Sequence, residues 1–587
     1  MFMNESELLL LNYLLNNNEK KTQRDISNDL NLSLGNINLS LKKLQDKHLV
    51  DETYKINNQE IKPYQVQSAI ILAAGVSLRM LPLNTALPKP LLSINDEILI
   101  ERIIKQLHEA NIKNIYIIVG YEKEKFEYLI DQYDVHLIVN PDFASDNNSY
   151  SLFLARNHLS NSYIIPGDLY FKTNPFKSLE DESYYFFSTA STNNDFFSIT
   201  SKRQIVKRNI NDNRKHYKAI GLAYIAKRDS KTCQSLLEKL IQGHFNTYWE
   251  EILLLDDGLK LKPTYLDDTL YKEINTFEDL RSIDSHSKSL DNEYIQIIQN
   301  VFHVSLNDIK NVSLMKKGMT NRSLLFSIHD ESYIMRIPGE GTSKLINRQH
   351  EYDSYQVIKD YQISDDVIYI NPETGVKITR FIPGVHNCLA TNKEEVKACI
   401  HFLKQFHSLK LKVNHTFDVY QQIDYYEKLR GNSSLYSDYE KVKEDVFSLK
   451  EFIDSLPKEY SLCHIDSVPD NFLLDEKGRI YLIDWEYSSM NDPHLDIAMF
   501  AIYAMYDKEM IDYIIDIYFE KKCDTLTRYK IYSYIAISGL LWSNWCEYKH
   551  TLGVEFGQYS LEQYRYAKVY SKMVLQYLKE DSQHESR

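Results

Sequence analysis

Two stretches of this 587-residue chain place acids, amides and cations at spacings that suit phosphate chemistry. The first is Leu462-Cys463-His464-Ile465-Asp466-Ser467-Val468-Pro469-Asp470-Asn471, followed by an apolar run that ends in Asp484. The spacing is H-x-D-x-x-x-x-N, with a third acid thirteen residues further on. Asp466 would accept or orient the proton of a substrate hydroxyl, and Asn471 and Asp484 would hold magnesium against ATP, which is phosphoryl transfer. The second stretch is AIILAAGVSLRMLPLNTALPKPLL, starting at Ala69. Its apolar strand runs into Ala73, Ala74 and Gly75, small residues that let backbone N–H groups approach phosphate oxygens. Arg79 and Lys89 add fixed positive charge for a triphosphate and for departing pyrophosphate. Such chemistry needs a divalent metal, and carboxylates at strand ends are its natural ligands. Asp168 ends the run Y-I-I-P-G-D, and Glu273 lies in Y-K-E-I-N-T, where Asn275 is a weaker carbonyl donor. The alternative for Asn275 and Thr276 is a helix N-cap.

Aromatic residues stand close to both stretches. Trp485, Glu486 and Tyr487 follow Asp484 directly, and Trp542 and Trp545 are three apart, on one face of a helix. A quaternary ammonium cannot donate hydrogen bonds, so ring faces and a nearby carboxylate must bind it. Tyr248, Trp249 and Glu250 or Glu251 offer a similar set, with Tyr150 in the run that starts at Asn140. Core packing is the alternative for each Trp. Upstream of His464, a loop containing Gly318, Thr320 and Asn321 joins β-like runs and could cover ATP phosphates. Arg336 sits on the next strand. It could pair with Glu351 on a helix at the nucleotide site, or the two could form a surface pair worth little.

The elements that must position these residues fall into three segments. Residues 1–60 read as helices with a short strand at the end, and Thr22 is placed to cap a helix over 23–30 with Asp25 as its partner. Gly35 or Asn36 then opens a second helix, with Ile37, Leu41 and Leu44 on one face. Asn36, Asn38, Ser40, Lys42 and Lys43 would point outward, toward a major groove if DNA were present. Residues 65–285 alternate short apolar runs with helical periods, which predicts a mixed α/β sheet of Rossmann type. Residues 292–587 begin with β-like runs and become helix-rich near 390, a bilobal plan with an N-lobe over about 292–385 and a C-lobe over 386–587.

Composition bounds the rest. The net charge of −14 makes the whole chain a poor nucleic-acid binder by electrostatics alone, and residues 1–62 hold eight Lys/Arg against nine Asp/Glu. The six cysteines form no C-x-x-C and suit a reducing cytoplasm. Nothing approaches 18 uninterrupted apolar residues, so no membrane insertion is expected, and the N-terminus does not read as a secretory signal.

Three resemblances sharpen these expectations. The stretch Lys20–Val50 resembles the winged helix-turn-helix modules of bacterial transcription regulators, a resemblance that covers about 55 residues. The head of the second segment resembles the sugar-nucleotide and phosphocholine nucleotidyltransferases, whose motif reads G-x-G-x-R-x-x-P-L-T-x-x-x-P-K. Ser77 replaces the second glycine and Asn84 the threonine, with no loss of charge. The run Asn140–Leu152 and Tyr248–Glu251 look like bacterial phosphocholine cytidylyltransferases. The third segment resembles the choline kinase branch of the aminoglycoside-phosphotransferase-like family through R-I-P-G-E-G-T at 336–342 and I-D-W-E-Y at 483–487. Together they imply a cytoplasmic bifunctional enzyme. It would phosphorylate choline with ATP and join phosphocholine to CTP, with magnesium at both sites, for decoration of cell-surface polymers. The alternatives are an ethanolamine or sugar kinase fused to a sugar-1-phosphate nucleotidyltransferase, or a choline-sensing transcription regulator.

Overall fold

The computed structural model describes every residue except 1–2, 18–20, 76–79, 81, 83–86, 144–146, 192–196, 209–216, 244–246, 256–258, 316–320, 340–345, 432 and 586–587. It divides into two compact units, one spanning Met1–Asn307 with Val312–Leu314, the other Asp308–Asn311 with Met315–Arg587.

The first unit begins with three helices, Glu5–Asn16, Gln23–Asp29 and Leu34–Asp46. Thr22 caps the second in a reciprocal box with Asp25, as its spacing predicts. The third starts earlier than expected. Ser33, not Gly35 or Asn36, is its cap, and its hydroxyl accepts from the Asn36 N–H at 3.2 Å. Leu10, Leu11, Ile26, Ile37, Leu41 and Leu44 close a small core. The expected terminal strand is reduced to one antiparallel bridge between Val50 and Ile56.

Leu179 of the following segment plugs into that core. Its backbone N–H and C=O both bond the side-chain amide of Asn12, each at 3.0 Å. One amide thus replaces a strand neighbour for a buried residue.

A seven-stranded sheet follows, in the order Lys262–Leu266, Tyr184–Ser191, Tyr217–Ile225, Ser162–Pro166, Ser68–Ala73, Asn114–Val119, His136–Val139. Ser68–Ala73 is an interior strand, parallel to both neighbours. Its residues are Ile- and Ala-rich because helices cover both faces. Tyr217–Ile225 runs antiparallel to Ser162–Pro166, so the sheet is mixed.

The second unit opens with an antiparallel sheet in which Asn321–Ile328, Glu331–Pro338, Lys377–Arg380 and Val367–Ile370 are successive neighbours. The helix Arg348–Ile358 follows Glu331–Pro338 in the chain. The remainder is helical. Thr525–Thr551 and Gln558–Glu585 are its longest members, and a large core includes Leu403, Phe406, Trp485, Phe500 and Leu540. Two short hairpin-like pairs, Ser461–Cys463 with Ser489–Asn491 and Phe472–Leu474 with Ile480–Leu482, carry the H-x-D-x-x-x-x-N stretch and Asp484. No helix among the described residues is long and apolar enough to cross a membrane.

Candidate active sites

In the first unit the parallel strands deliver their chemistry at their C-terminal ends. Ala73 and Ala74 are buried there, and Gly75 has open space where a side chain would stand. Arg79 lies outside the described residues. Gly167 turns the chain after Ser162–Pro166. Its N–H donates to Leu72 O at 2.9 Å, and a Cβ on it would stand 2.9 Å from that same oxygen, so only glycine fits. The turn presents Asp168. Lys89 opens a short 3-10 turn and is buried, and its Nζ donates to Asp168 Oδ2 at 2.6 Å and Asn275 Oδ1 at 2.9 Å.

Glu273 ends the strand Tyr271–Glu273, which pairs antiparallel with Leu169–Phe171, and the Ile274 N–H donates to Asp168 O at 3.0 Å. Its carboxylate sits 2.5 Å from Lys218 Nζ. Burial alone would raise the Glu273 pKa, but Lys218, with help from Asn275 and Lys89, more than offsets it, and the carboxyl is held below its ordinary range. Asn275 faces Lys89 and is no cap. Thr276 alone caps Phe277–Ile283, accepting from the Asp279 N–H at 3.1 Å. Lys218 had no motif to announce it, since it lies in an otherwise ordinary strand.

The aromatic set expected beside this site does not assemble. Trp249 is 0% exposed, its ring 5.9 Å from that of Tyr185 in the sheet's second core, while Tyr248 is 56% exposed. A Trp sealed in a core cannot touch a ligand, so its packing role wins. Tyr150 stacks on Phe153 on the helix Asn148–Leu154. Glu250 is the notable neighbour. Burial raises its pKa to about 7, and its Oε2 has no hydrogen-bond partner among the described residues.

In the second unit Arg336 organises the other site. Its guanidinium meets Glu351 Oε2 at 2.5 Å, Asp484 Oδ1 at 2.9 Å and Glu486 Oε2 at 3.5 Å. Arg348 reaches both Glu351 and Glu486 at 3.4 Å, and Lys377 stands 3.6 Å from Glu351. Arg336 and Glu351 are buried, so the surface-pair alternative fails. Burial opposes the Glu351 charge, but Arg336 and Lys377 prevail and its pKa falls. For Glu486 burial prevails, aided by Asp484, and its pKa rises. Asn321 donates to Glu486 Oε2 at 3.1 Å. Gly318 and Thr320 lie outside the described residues.

Asp466 is half-buried, and Asn471 Nδ2 donates to its Oδ2 at 3.1 Å and its backbone oxygen at 2.8 Å. Burial, then the negative charge of Asp484, raises the Asp466 pKa to about 7. Asp496 fixes the loop from below. Its carboxylate accepts the His464 and Ile465 N–H groups, each at 2.8 Å, and holds Ile465 at a φ of 68°.

A cavity of about 540 Å³ is lined by Asp466, Asn471, Asp484, Glu486 and Arg336, and also by Tyr487, Trp542 and Trp545. Trp542 and Trp545 meet edge to face at 5.5 Å, and Tyr487 stands edge-on to Trp542 at 6.1 Å. Trp485 does not join them. It is fully buried, donates to Leu482 O at 2.7 Å and packs on Phe406 and His464. Adjacent residues in sequence leave a loop in opposite directions, and the aromatic count could not say which way Trp485 points. Tyr503, Phe556 and Tyr559 complete the wall and were missed. In a chain with 44 Tyr and 24 Phe their composition carried no signal.

The cytidylyltransferase-like segment has a relative of nearly its own length. A choline-phosphate cytidylyltransferase of Streptococcus pneumoniae is 32% identical over 228 residues, covering 38% of this chain and 98% of the relative. The chain belongs to the choline-phosphate cytidylyltransferase family. Within this chain, residues 69–181 match the MobA-like NTP transferase domain, residues 3–51 a winged helix-turn-helix DNA-binding family, and residues 312–536 choline/ethanolamine kinase. Protein LicA of Haemophilus influenzae is 28% identical over 264 residues, covering 42% of this chain and 95% of LicA. The crystal structure of choline kinase LicA from Streptococcus pneumoniae is 30% identical, covers 48% of this chain and all of its own, and aligns with a TM-score of 0.42.

The helix-turn-helix segment carries two corrections. Ser40 is buried rather than outward, and Lys43 is tied to the buried Glu7 at 3.1 Å. Asn36 is half-buried, its Nδ2 donating to Ser6 Oγ at 3.0 Å. Asn38 and Lys42 are exposed.

Proposed function

We propose that this chain makes CDP-choline in two steps, phosphorylating choline with ATP and then transferring CMP from CTP to phosphocholine with release of pyrophosphate. The observation that carries the reading is the cavity in which Asp466 and Asp484 share a wall with Trp542, Trp545 and Tyr487. Carboxylates suited to a metal-bound triphosphate and ring faces suited to a trimethylammonium group fit choline and ATP in one space.

In the kinase step Asp466 holds the choline hydroxyl and takes its proton as the oxygen attacks the γ-phosphorus, whose bond to the β–γ bridging oxygen breaks and releases ADP. A carboxyl poised near neutrality suits that exchange. Arg336, held by Glu351, directs positive charge at the phosphates, and Asn321 lines the same cavity. Asn471 and Asp484 are oxygen donors of the kind Mg²⁺ prefers. When bound, the ion would neutralise phosphate charge. In the transferase step Ala73, Ala74 and Gly75 border the triphosphate, and Lys89, with Arg79, stabilises charge as pyrophosphate leaves. Asp168, Glu273 and Asn275 form a second hard-oxygen set for Mg²⁺. Phosphocholine is then met by Tyr150 and Glu250.

We assign residues 1–60, 65–285 and 292–587 to a helix-turn-helix, a transferase and a kinase domain. We place the reaction in the cytoplasm, where ATP and CTP are available, and take duplex DNA as the partner of residues 1–60. The test is incubation of the full chain with choline, ATP, CTP and magnesium, with products read by mass. CDP-choline is expected. Phosphocholine alone would remove the transferase half, and neither product, with ethanolamine turned over instead, would remove the choline assignment.

A further inference from the structure

A buried carboxylate of the second unit stands apart from the catalytic groups. Glu547 lies near the C-terminal end of the helix Thr525–Thr551 and is 5% exposed. Arg430, the last residue of the helix Val419–Arg430, donates to the Glu547 carboxylate and, at 2.8 Å, to Asn544 Oδ1. Asn544 and Glu547 are three apart and share a helix face, so one guanidinium fixes the rotation of this helix about its axis. Trp542 and Trp545, on the same helix, line the cavity. The Glu547 carboxylate also accepts from Ser434 Oγ at 2.9 Å and from the Leu435 N–H at 2.5 Å.

The same stretch, 433–438, is tied to the other long helix, Gln558–Glu585. Tyr436 stacks on Tyr564 with ring centres 3.8 Å apart, and its hydroxyl donates to Ser560 O at 3.0 Å. Tyr564 OH donates to Asp438 Oδ1 at 2.8 Å. Ser560 follows Tyr559, another residue of the cavity wall. Residues 433–438 therefore bridge the two helices that carry Trp542, Trp545 and Tyr559, while Phe556 stands in the connection between those helices.

Stability does not explain the arrangement. A buried ion pair is often no better for stability than apolar groups of the same shape. The bond to the Leu435 N–H buries little apolar surface, since Leu435 is 73% exposed. These contacts hold a backbone segment at one position against both helices. Ring faces attract a quaternary ammonium only within about 6 Å, so the spacing of the rings decides affinity.

We propose that Glu547 is a positioning residue for the ammonium end of the substrate. It latches residues 433–438 across the two helices and so sets the spacing between the Trp542–Trp545 pair and Tyr559. This rests on the reading of the cavity as a choline site. Arg430, Ser434, Tyr436 and Glu547 are not among the residues that line the cavity, and Arg336, Asp466 and Asp484 stand on other elements. The latch therefore governs choline and not ATP.

The test is steady-state kinetics of the full chain carrying Glu547→Gln or, separately, Tyr436→Leu. The second variant frees the same stretch from the opposite helix and keeps the Arg430–Glu547 pair. Each should raise the choline KM at least about fivefold, with kcat and the KM for ATP within about twofold of the wild type. A purely structural loss lowers the active fraction, and so kcat, but leaves KM where it was. An unchanged choline KM in either folded variant overturns the latch. A parallel rise in the KM for ATP overturns it too, because the whole site has then loosened. If Glu547→Gln does not fold, Tyr436→Leu decides alone. A wild-type chain that does not phosphorylate choline removes instead the choline reading of the cavity.

Discussion

Lys89 and Trp545 show what single side chains contribute. Lys89 is a buried cation whose two partners, Asp168 and Asn275, are the oxygen donors proposed above for Mg²⁺. Lys89→Met should lower kcat/KM for CDP-choline formation about 10²–10³-fold, the usual effect of losing one group aimed at developing charge. It should leave choline phosphorylation untouched, and steady-state assays of each half-reaction check both. Trp545 and Trp485 make a matched pair. Trp545→Ala opens the cavity wall and should raise the choline KM about tenfold or more with little change in the KM for ATP. Trp485→Ala instead leaves a core void beside Phe406 and His464. It should cost about 3–5 kcal/mol of stability, read from denaturant melts, without a choline-specific effect on KM. A tenfold choline KM change in Trp485→Ala would contradict its placement.

Elements position these side chains, and their legibility varied with how local the cause was. Thr22 and Asp25 announce a capped helix because the cap is a four-residue interaction. The strand Ser68–Ala73 and the run ending in Asp168 were equally readable, since an apolar run closed by small residues has few other uses. H-x-D-x-x-x-x-N fixed Asp466 and Asn471 side by side for the same reason. Long-range partners left no such trace. Lys218 meets Glu273, and Arg348 meets Glu486, only because distant strands and helices converge. The direction of a Trp at the start of a 3-10 turn, or in the loop after a strand, depends on what packs behind it, which is why Trp249 and Trp485 turned inward. Asn12 is the least legible of all, a polar residue in a Leu run that breaks amphipathicity. The structure gives its reason, since it satisfies both backbone groups of Leu179. Asn12→Ala should orphan both, at about 1–3 kcal/mol each. Calorimetry should then show the transition of the first unit lowered and that of the second unchanged, and equal lowering of both would refute local docking.

At the scale of the whole molecule, the two catalytic sets lie in separate compact units with separate sheets and cores. Nothing in the residue list of either site belongs to the other unit. Each half-reaction should therefore survive the loss of the other. Asp168→Asn should accumulate phosphocholine from choline and ATP, and Asp466→Asn should make CDP-choline only when phosphocholine is supplied. A mixture of the two variants should restore CDP-choline from choline, because phosphocholine can leave one chain and enter another. The rate of that restoration measures what fusion contributes. If the mixture matches the wild type at equal site concentration, phosphocholine passes through bulk solution. If it lags, and the lag closes as enzyme concentration rises, proximity on one chain supplies an effective concentration of the intermediate. Failure of the mixture at every concentration, with each half-reaction intact, would mean that the intermediate never leaves the chain that makes it.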